Sequence, residues 1–282
     1  MSSHIFNNTK EVSWNVIIGV VIAFVATSLF NQFVLARHKV FFNVHGITYG
    51  LIHPVLLYTL IALAIVCFII FGWARLKPRD VGCLTTALKP ALMFLFGFWI
   101  VAQGCIALIL LFRTETLEWN IAWGQGWPAV IGLFIAYLFG TAIYEEIAFR
   151  GFMLPQLYLK FGGSTANQTR KHLVYAILAS QIVFSLVHLP VLIYDKLSFG
   201  IIVARLGACL FLGIIMALIY IRTSNLFLVV GIHALIDTKT GLFNGIEDWM
   251  EPGVYTLLMI ILLIVWPIFR IRNPWIAESK VC

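Results

Sequence analysis

The sequence predicts an all-α polytopic membrane protein with about eight transmembrane helices. Three observations carry that reading. The chain is 61% hydrophobic and only 11% charged, where a soluble domain has roughly 25% charged residues. Its mean hydropathy is +0.97. Apolar runs near the ~20 residues that a bilayer-spanning helix needs recur along its 282 residues, separated by short polar links. A soluble domain has no room beside them.

The polar opening, residues 1–13, leads into a first apolar run too long for a signal-peptide core and without a clear small-residue cleavage site, so it is expected to be a retained helix. That helix runs from Trp14 to Leu35, before the basic link Arg37-His38-Lys39. The second runs from Ile47 to Trp73 and is stopped by the charge and proline of Arg75-Leu76-Lys77-Pro78-Arg79-Asp80. The third runs from Pro90 to Phe112. Between it and the fourth, Trp119, Trp123 and Trp127 recur at a spacing of four, which reads as an interfacial helix with one tryptophan face or as three unrelated belt tryptophans. The fourth helix covers Pro128 to Leu154, followed by a polar loop over 155–171. The fifth covers His172 to Leu192, the sixth Phe199 to Ile221, the seventh Leu226 to Thr238, and the eighth Val254 to Phe269 before a basic tail. The seventh is short for a span and is expected to be half-buried against protein. Three regions follow: N-terminal helices with the tryptophan segment (1–127), a helical core (128–245), and a C-terminal helix and tail (246–282).

The net charge of +7 does not point to nucleic acid, because the basic residues sit in short links between apolar runs and meet the lipid bilayer there. With eight spans, twelve Lys and Arg fall on the side of both termini and five on the other, which predicts cytoplasmic termini. The short loops and compact size look like those of a prokaryotic cell-membrane protein. The five cysteines are scattered without a Cys-x-x-Cys, which argues against a disulfide framework or cysteine metal site. Cys282 is the last residue and cannot head a prenylation box.

Charge inside hydrocarbon needs a reason. The fourth segment carries Glu145, Glu146 and Arg150, the fifth His188, and the seventh His233 and Asp237. Glu146 and Arg150 are i,i+4 on one helix face, the spacing of an internal ion pair. Glu145 points about 100° away and is free for another task. His233 and Asp237 are also i,i+4, so the acid can orient the imidazole, and Phe184 shares a face with His188. At 1.5 Å per residue, Glu145, His188 and His233 fall in the cytoplasmic half or near the midplane of a ~30 Å core. A carboxylate in a dry pocket can take a proton from water and hand it to a leaving group, and Glu145 suits that role. The histidines can act as acid or base, bind an oxyanion, or bind a metal. Two His and one Glu make a known zinc set, although the chain has no HExxH. Helix–helix hydrogen bonding and a transporter or proton relay are competing uses of the same residues. A transporter is disfavoured by the lack of pseudo-symmetric broken helices.

Three motifs in order then resemble the CPBP family of intramembrane proteases, which includes type II CAAX prenyl endopeptidases and bacterial proteins linked to bacteriocin processing or immunity. They are Glu145-Glu146-Ile-Ala-Phe-Arg150 followed by Gly151, Phe184-Ser-Leu-Val-His188, and His233-Ala-Leu-Ile-Asp237. Phe-Leu-Gly at 211–213 and Thr-Ser-Asn-Leu-Phe at 223–227 also look like the family. The resemblance implies hydrolysis of a peptide bond in a membrane-associated, in some members prenylated, peptide or protein. By that analogy Glu145 activates water, His188 assists, His233 and Asp237 stabilise the oxyanion, and Glu146, Arg150 and Phe184 support the site. Asp237 departs from the Asn alternative of the pattern. An ionised Asp only accepts hydrogen bonds, so it is either protonated or orients His233. The resemblance leaves open one divalent metal such as zinc on Glu145, His188 and His233, or a metal-free water. It also leaves open a catalytically silent member that regulates another membrane protein.

Overall fold

The structure is a computed structural model that describes residues 9–39, 41–113, 116–163, 170–247 and 249–265. The basic tail and the end of the eighth segment lie outside those residues. No strand forms among the described residues beyond one isolated bridge between Trp119 and Phe243, so the class is all-α. Six helical stretches are long and apolar enough to cross a membrane, and two shorter apolar helices, Leu226–Asp237 and Met250–Val265, accompany them. All eight apolar segments are therefore helical, but six rather than eight have spanning length among the described residues.

Helix α1 is Trp14–Ala36. A short helix α2, Phe42–Ile47, and a turn precede α3, Pro54–Trp73. The second span thus starts seven residues later than the apolar pattern suggests. The reason is local. Pro54 occupies the first turn, where its missing N–H is harmless, and His53 Nδ1 accepts the Val55 N–H at 3.3 Å as a cap. Helix α4 is Leu88–Phe112 and α5 is the short Ile121–Gln125. The one-faced tryptophan helix does not form. Trp119 pairs with Phe243, Trp123 sits in α5, and Trp127 opens the next helix, because Gly126 breaks the run.

Helix α6, Trp127–Gly162, is longer than expected and absorbs much of the anticipated loop. It alternates α and π turns, ending where Gly162 takes φ +97°. Gln156, read as loop, is buried in α6 and clamps the N-terminal strip: its Oε1 accepts Val12 N–H at 2.9 Å and its Nε2 donates to Lys10 O at 2.9 Å. Gly140 lets α3 approach closely, since a Cβ there would collide with Thr59 Oγ1. Gly151 does the same for Val81, whose carbonyl would lie 2.6 Å from such a Cβ.

The fifth span is broken. Helix α7 is Arg170–Leu186 and α8 is Leu189–Tyr194. Pro190 lacks the N–H that would bond Leu186, and its ring crowds that carbonyl, so His188 sits at the break rather than inside a helix. Helix α9 is Phe199–Thr223. Helix α10, Leu226–Asp237, is capped by Asn225 Oδ1 accepting Leu228 N–H at 3.2 Å. It is buried over Leu228–Leu235, a helix apolar on nearly every side and surrounded by protein rather than lipid. Helix α11 is Met250–Val265.

Candidate active site

The Glu pair occupies a single α turn, Ile143–Glu146, held between π stretches at Tyr137–Ala142 and Ile147–Met153. Wide turns of this kind re-aim the side chains beside them and are frequent at functional sites. Glu146 and Arg150 form the ion pair that their spacing predicts, Nη1 to Oε1 at 2.9 Å, with side chains 0% and 1% exposed. Breaking such a pair on one side is far more damaging than replacing both partners. Arg150 is held in three more ways. Its guanidinium lies 4.3 Å from the Phe184 ring centroid, a cation–π contact. Its Nη2 reaches the Gly213 carbonyl at 3.5 Å. Gly213 itself leaves the room, because a Cβ there would stand 2.8 Å from Gln181 Oε1 and 3.2 Å from Phe184 Cδ1.

Glu146 does a second task that spacing could not reveal. Its Oε1 also lies 2.7 Å from His233 Nδ1, across 87 residues of sequence. On the other side of that ring, Nε2 lies 3.2 Å from Asp237 Oδ2. A carboxylate oxygen thus stands at each nitrogen of the His233 ring, ready to accept from whichever nitrogen carries a proton. Asp237 is thus within hydrogen-bond reach of His233, at the i,i+4 spacing read from the sequence.

His188 is oriented differently. Its Nδ1 is 2.7 Å from the Phe184 carbonyl. A carbonyl only accepts, so Nδ1 carries the proton and Nε2 of the neutral ring is left with a lone pair. That Nε2 faces Glu145 Oε1 at 3.9 Å, while Glu145 Oε2 faces His233 Nε2 at 3.7 Å. Both gaps exceed a direct hydrogen bond and match separations that a bridging water spans. Glu145 is buried, whereas the side chains of His188 and Asp237 are 29% and 32% exposed and form the open edge of the cluster.

The structure thus brings together all seven residues that the sequence singles out: Glu145, Glu146, Arg150, Phe184, His188, His233 and Asp237. Sequence reasoning missed the wall behind them. Phe24 of α1 stacks on Tyr144 at 4.5 Å and edges Phe149 at 5.1 Å, and Phe149 meets Phe184 at 5.0 Å. Tyr144 is fixed by a 2.9 Å hydrogen bond to Thr27. Only the position of Tyr144 beside the Glu pair hinted at this; nothing local marked Phe24.

A metal on Glu145, His188 and His233 would have to take the place of a proton on His233 Nε2, which faces Asp237 Oδ2 at 3.2 Å, while Glu146 stands at Nδ1. No group of three His, Cys, Asp or Glu among the described residues has a metal-holding arrangement.

Fold and site together define an all-helical integral membrane protein with a carboxylate–imidazole cluster enclosed by its helices. The family model for type II CAAX prenyl endopeptidase Rce1-like proteins matches residues 126–238, from the start of α6 to just past Asp237. The match contains every residue of the cluster, and it agrees with the CPBP resemblance of the three motifs. No curated protein and no solved structure matches the chain.

Proposed function

We propose that this protein is an intramembrane endopeptidase that hydrolyses a peptide bond in a membrane-associated, prenylated peptide or protein. One observation carries the reading: Glu145 stands between the Nε2 atoms of His188 and His233, at 3.9 and 3.7 Å. A water bridging Glu145 and His188 meets a carboxylate oxygen and an imidazole lone pair, two acceptors for its protons. As its oxygen attacks the scissile carbonyl carbon, one proton passes to Glu145. The tetrahedral oxyanion is met by His233 Nε2–H, which turns to it from Asp237 while Glu146 keeps Nδ1 in place. Collapse breaks the C–N bond, and the proton on Glu145 passes to the leaving amine. Arg150 neutralises Glu146 and fixes it, so Glu146 positions His233 rather than competing for the water. No step requires a metal.

The family name supports the prenyl part of the proposal. So does a cavity of about 430 Å³, lined almost wholly by apolar side chains of α4, α6 and α10 such as Leu95, Leu138 and Val230. That volume lies in the range of small-molecule pockets, and the cavity lies beside the helices that carry Glu145 and His233. In the proposal the substrate enters from the cytoplasmic side, with both termini of the protein in the cytoplasm of a prokaryotic cell.

The test is cleavage of membrane-anchored and prenylated peptides by purified protein, beside Glu145→Gln and His188→Ala. Loss in both variants, with each still folded and monodisperse, supports the mechanism. Variants that cleave as well as wild type overturn it. A chelator titration on the active protein tests the metal-free step, which predicts no loss.

A further inference from the structure

Glu251 is a buried carboxylate that the proposed mechanism does not use. It lies in the first turn of α11, and the polar groups around it donate to it. Thr240 Oγ1 donates to its Oε1 at 2.9 Å, and Tyr255 OH donates to the same oxygen at 3.0 Å. The backbone N–H groups of Thr240 and Gly241 also hydrogen-bond the carboxyl. A second rank stands behind them. Trp99 Nε1 donates to Thr240 Oγ1 at 3.2 Å, and Gln103 Nε2 donates to Tyr255 OH at 3.4 Å. The donors thus run in two chains that end on Glu251, and an ionised carboxylate is a side chain that only accepts.

The segment they gather, 238–242, is non-helical and starts directly after Asp237. Non-helical backbone among membrane helices needs protein partners, and this segment has them on three sides. Leu242 N–H donates to Gln103 Oε1 of α4 at 3.0 Å. The Gly241 carbonyl accepts from Asn120 Nδ2 at 2.9 Å and from Trp123 Nε1 at 3.2 Å, at the start of α5. Glu251 and Tyr255 of α11 close the third side. What is held in this way is the end of the helix that carries the site. Asp237 is the last residue of α10, and it meets His233 one turn back at 3.2 Å. Helix ends fray, because their last carbonyls lack intrahelical partners. Here Thr238 Oγ1 donates to the Ala234 carbonyl at 2.6 Å, and Thr240 N–H donates to the Thr238 carbonyl at 3.1 Å. The clamp on Thr240 therefore reaches the last turn of α10 through two hydrogen bonds.

We propose that Glu251 is a positioning residue for the His233–Asp237 pair. Its carboxylate collects Thr240 and Tyr255, holds segment 238–242 against α4 and α5, and so keeps the last turn of α10 closed. The effect on turnover rests on the endopeptidase reading above, whereas the effect on the helix end rests on the hydrogen bonds alone. Hydrogen bonds to a charged acceptor are stronger than neutral ones, so a single carboxylate serves as the anchor of both chains. Thr240, Trp99 and Trp123 also border the apolar cavity. A network that only shaped that wall would act on substrate binding, while one that holds Asp237 and His233 acts on the chemical step.

The experiment compares full-length wild type, Glu251→Gln and Tyr255→Phe in nanodiscs by hydrogen–deuterium exchange of peptides covering α10 and, as a reference, α9. Glu251→Gln keeps the volume but turns an NH2 group toward the donors. Tyr255→Phe removes a single donor and carries the same test if Glu251→Gln does not fold. Exchange in the last turn of α10 should rise roughly tenfold or more in Glu251→Gln, as for one hydrogen bond to a charged group. It should rise less in Tyr255→Phe, with α9 unchanged in both. Turnover of a membrane-anchored peptide should fall several-fold in kcat with KM close to that of wild type, again less in Tyr255→Phe. A last turn that exchanges as in wild type overturns the proposal. So does a rise shared by α9, which makes the network a support of the whole fold, or a higher KM with kcat unchanged, which assigns it to the cavity wall. If wild type cuts no peptide while exchange rises in the last turn alone, the endopeptidase reading fails and the clamp on the helix end stands.

Discussion

Helix α10 separates two regions of opposite character. On one face His233 and Asp237 join Glu145, Glu146 and Arg150 in a cluster where every charge has a named partner or a named gap. Nearly half a turn from His233, Phe227, Gly231 and Leu235 border a cavity with almost no polar lining. The polar side depends on geometry to tenths of an ångström, because an unpaired charge in a dry place is costly. The apolar side depends only on volume, because dispersion and hydrophobic contact have no direction. Substitutions should therefore act through pairing on one side and through size on the other.

The largest effect is expected from Arg150→Leu. It leaves Glu146 charged and buried, and it should cost about 3–5 kcal/mol and most of the monodisperse protein. Replacing both partners, with Glu146→Gln added, should recover much of that stability without restoring cleavage. Thermal unfolding in detergent reads the first and peptide cleavage the second. If Arg150→Leu alone melts like wild type, the ion pair does not hold the site.

Next comes Glu145→Gln, which keeps shape and removes the proton carrier. Cleavage should fall roughly 10²–10⁴-fold with the melting temperature within the scatter of wild type, since the Glu145 carboxylate makes no direct hydrogen bond among the described residues. A milder effect belongs to the apolar side. Leu138→Trp fills the cavity and should raise KM for a prenylated peptide about tenfold, as burial of a few methylenes predicts, while an unprenylated version of the same peptide is cut as before. An equal loss for both peptides would detach the cavity from substrate binding.

The smallest effect lies far from both regions. Arg113 Nη1 meets Glu247 Oε1 at 2.8 Å in the loop after α10, and this hydrogen bond, with that from Trp249, holds the Glu247 carboxyl below its usual 4.5. A carboxyl held low in the folded state stabilises fully above its unfolded value and loses that contribution as pH falls through the folded one. The pair is exposed, so the change is small. Glu247→Gln should slightly lower the melting temperature at pH 7, and the difference should shrink as the pH falls below 4.5, as read by paired melts.

The parts of the site that were legible from sequence are those within one turn of helix. Glu146 with Arg150, His233 with Asp237, and Phe184 with His188 are all i,i+4, and all three meet, at 2.9 Å, 3.2 Å and a ring separation of 5.0 Å. The bond from His233 to Glu146 was not legible, since its partners are 87 residues apart. Helix ends were read less well than helices. The second span begins late because His53 and Pro54 make a cap, and the fourth runs on to Gly162 because Gln156 finds backbone partners in the N-terminal strip. A polar residue reads as loop until its partner is known.

By itself the sequence determined the class, the approximate place of each helix and the inventory of chemical groups. Backbone groups in hydrocarbon must bond within their own segment, so a long apolar run has one good solution, and spacing along a helix then fixes which neighbours can meet. Tertiary structure alone decided that Glu145 faces two imidazoles at once. That depends on how closely α6 approaches α3 at Gly140, how Gly213 admits the Arg150 guanidinium, and where Pro190 breaks the fifth span to leave His188 at its edge. Those are distances between helices, and no local pattern in a chain encodes them.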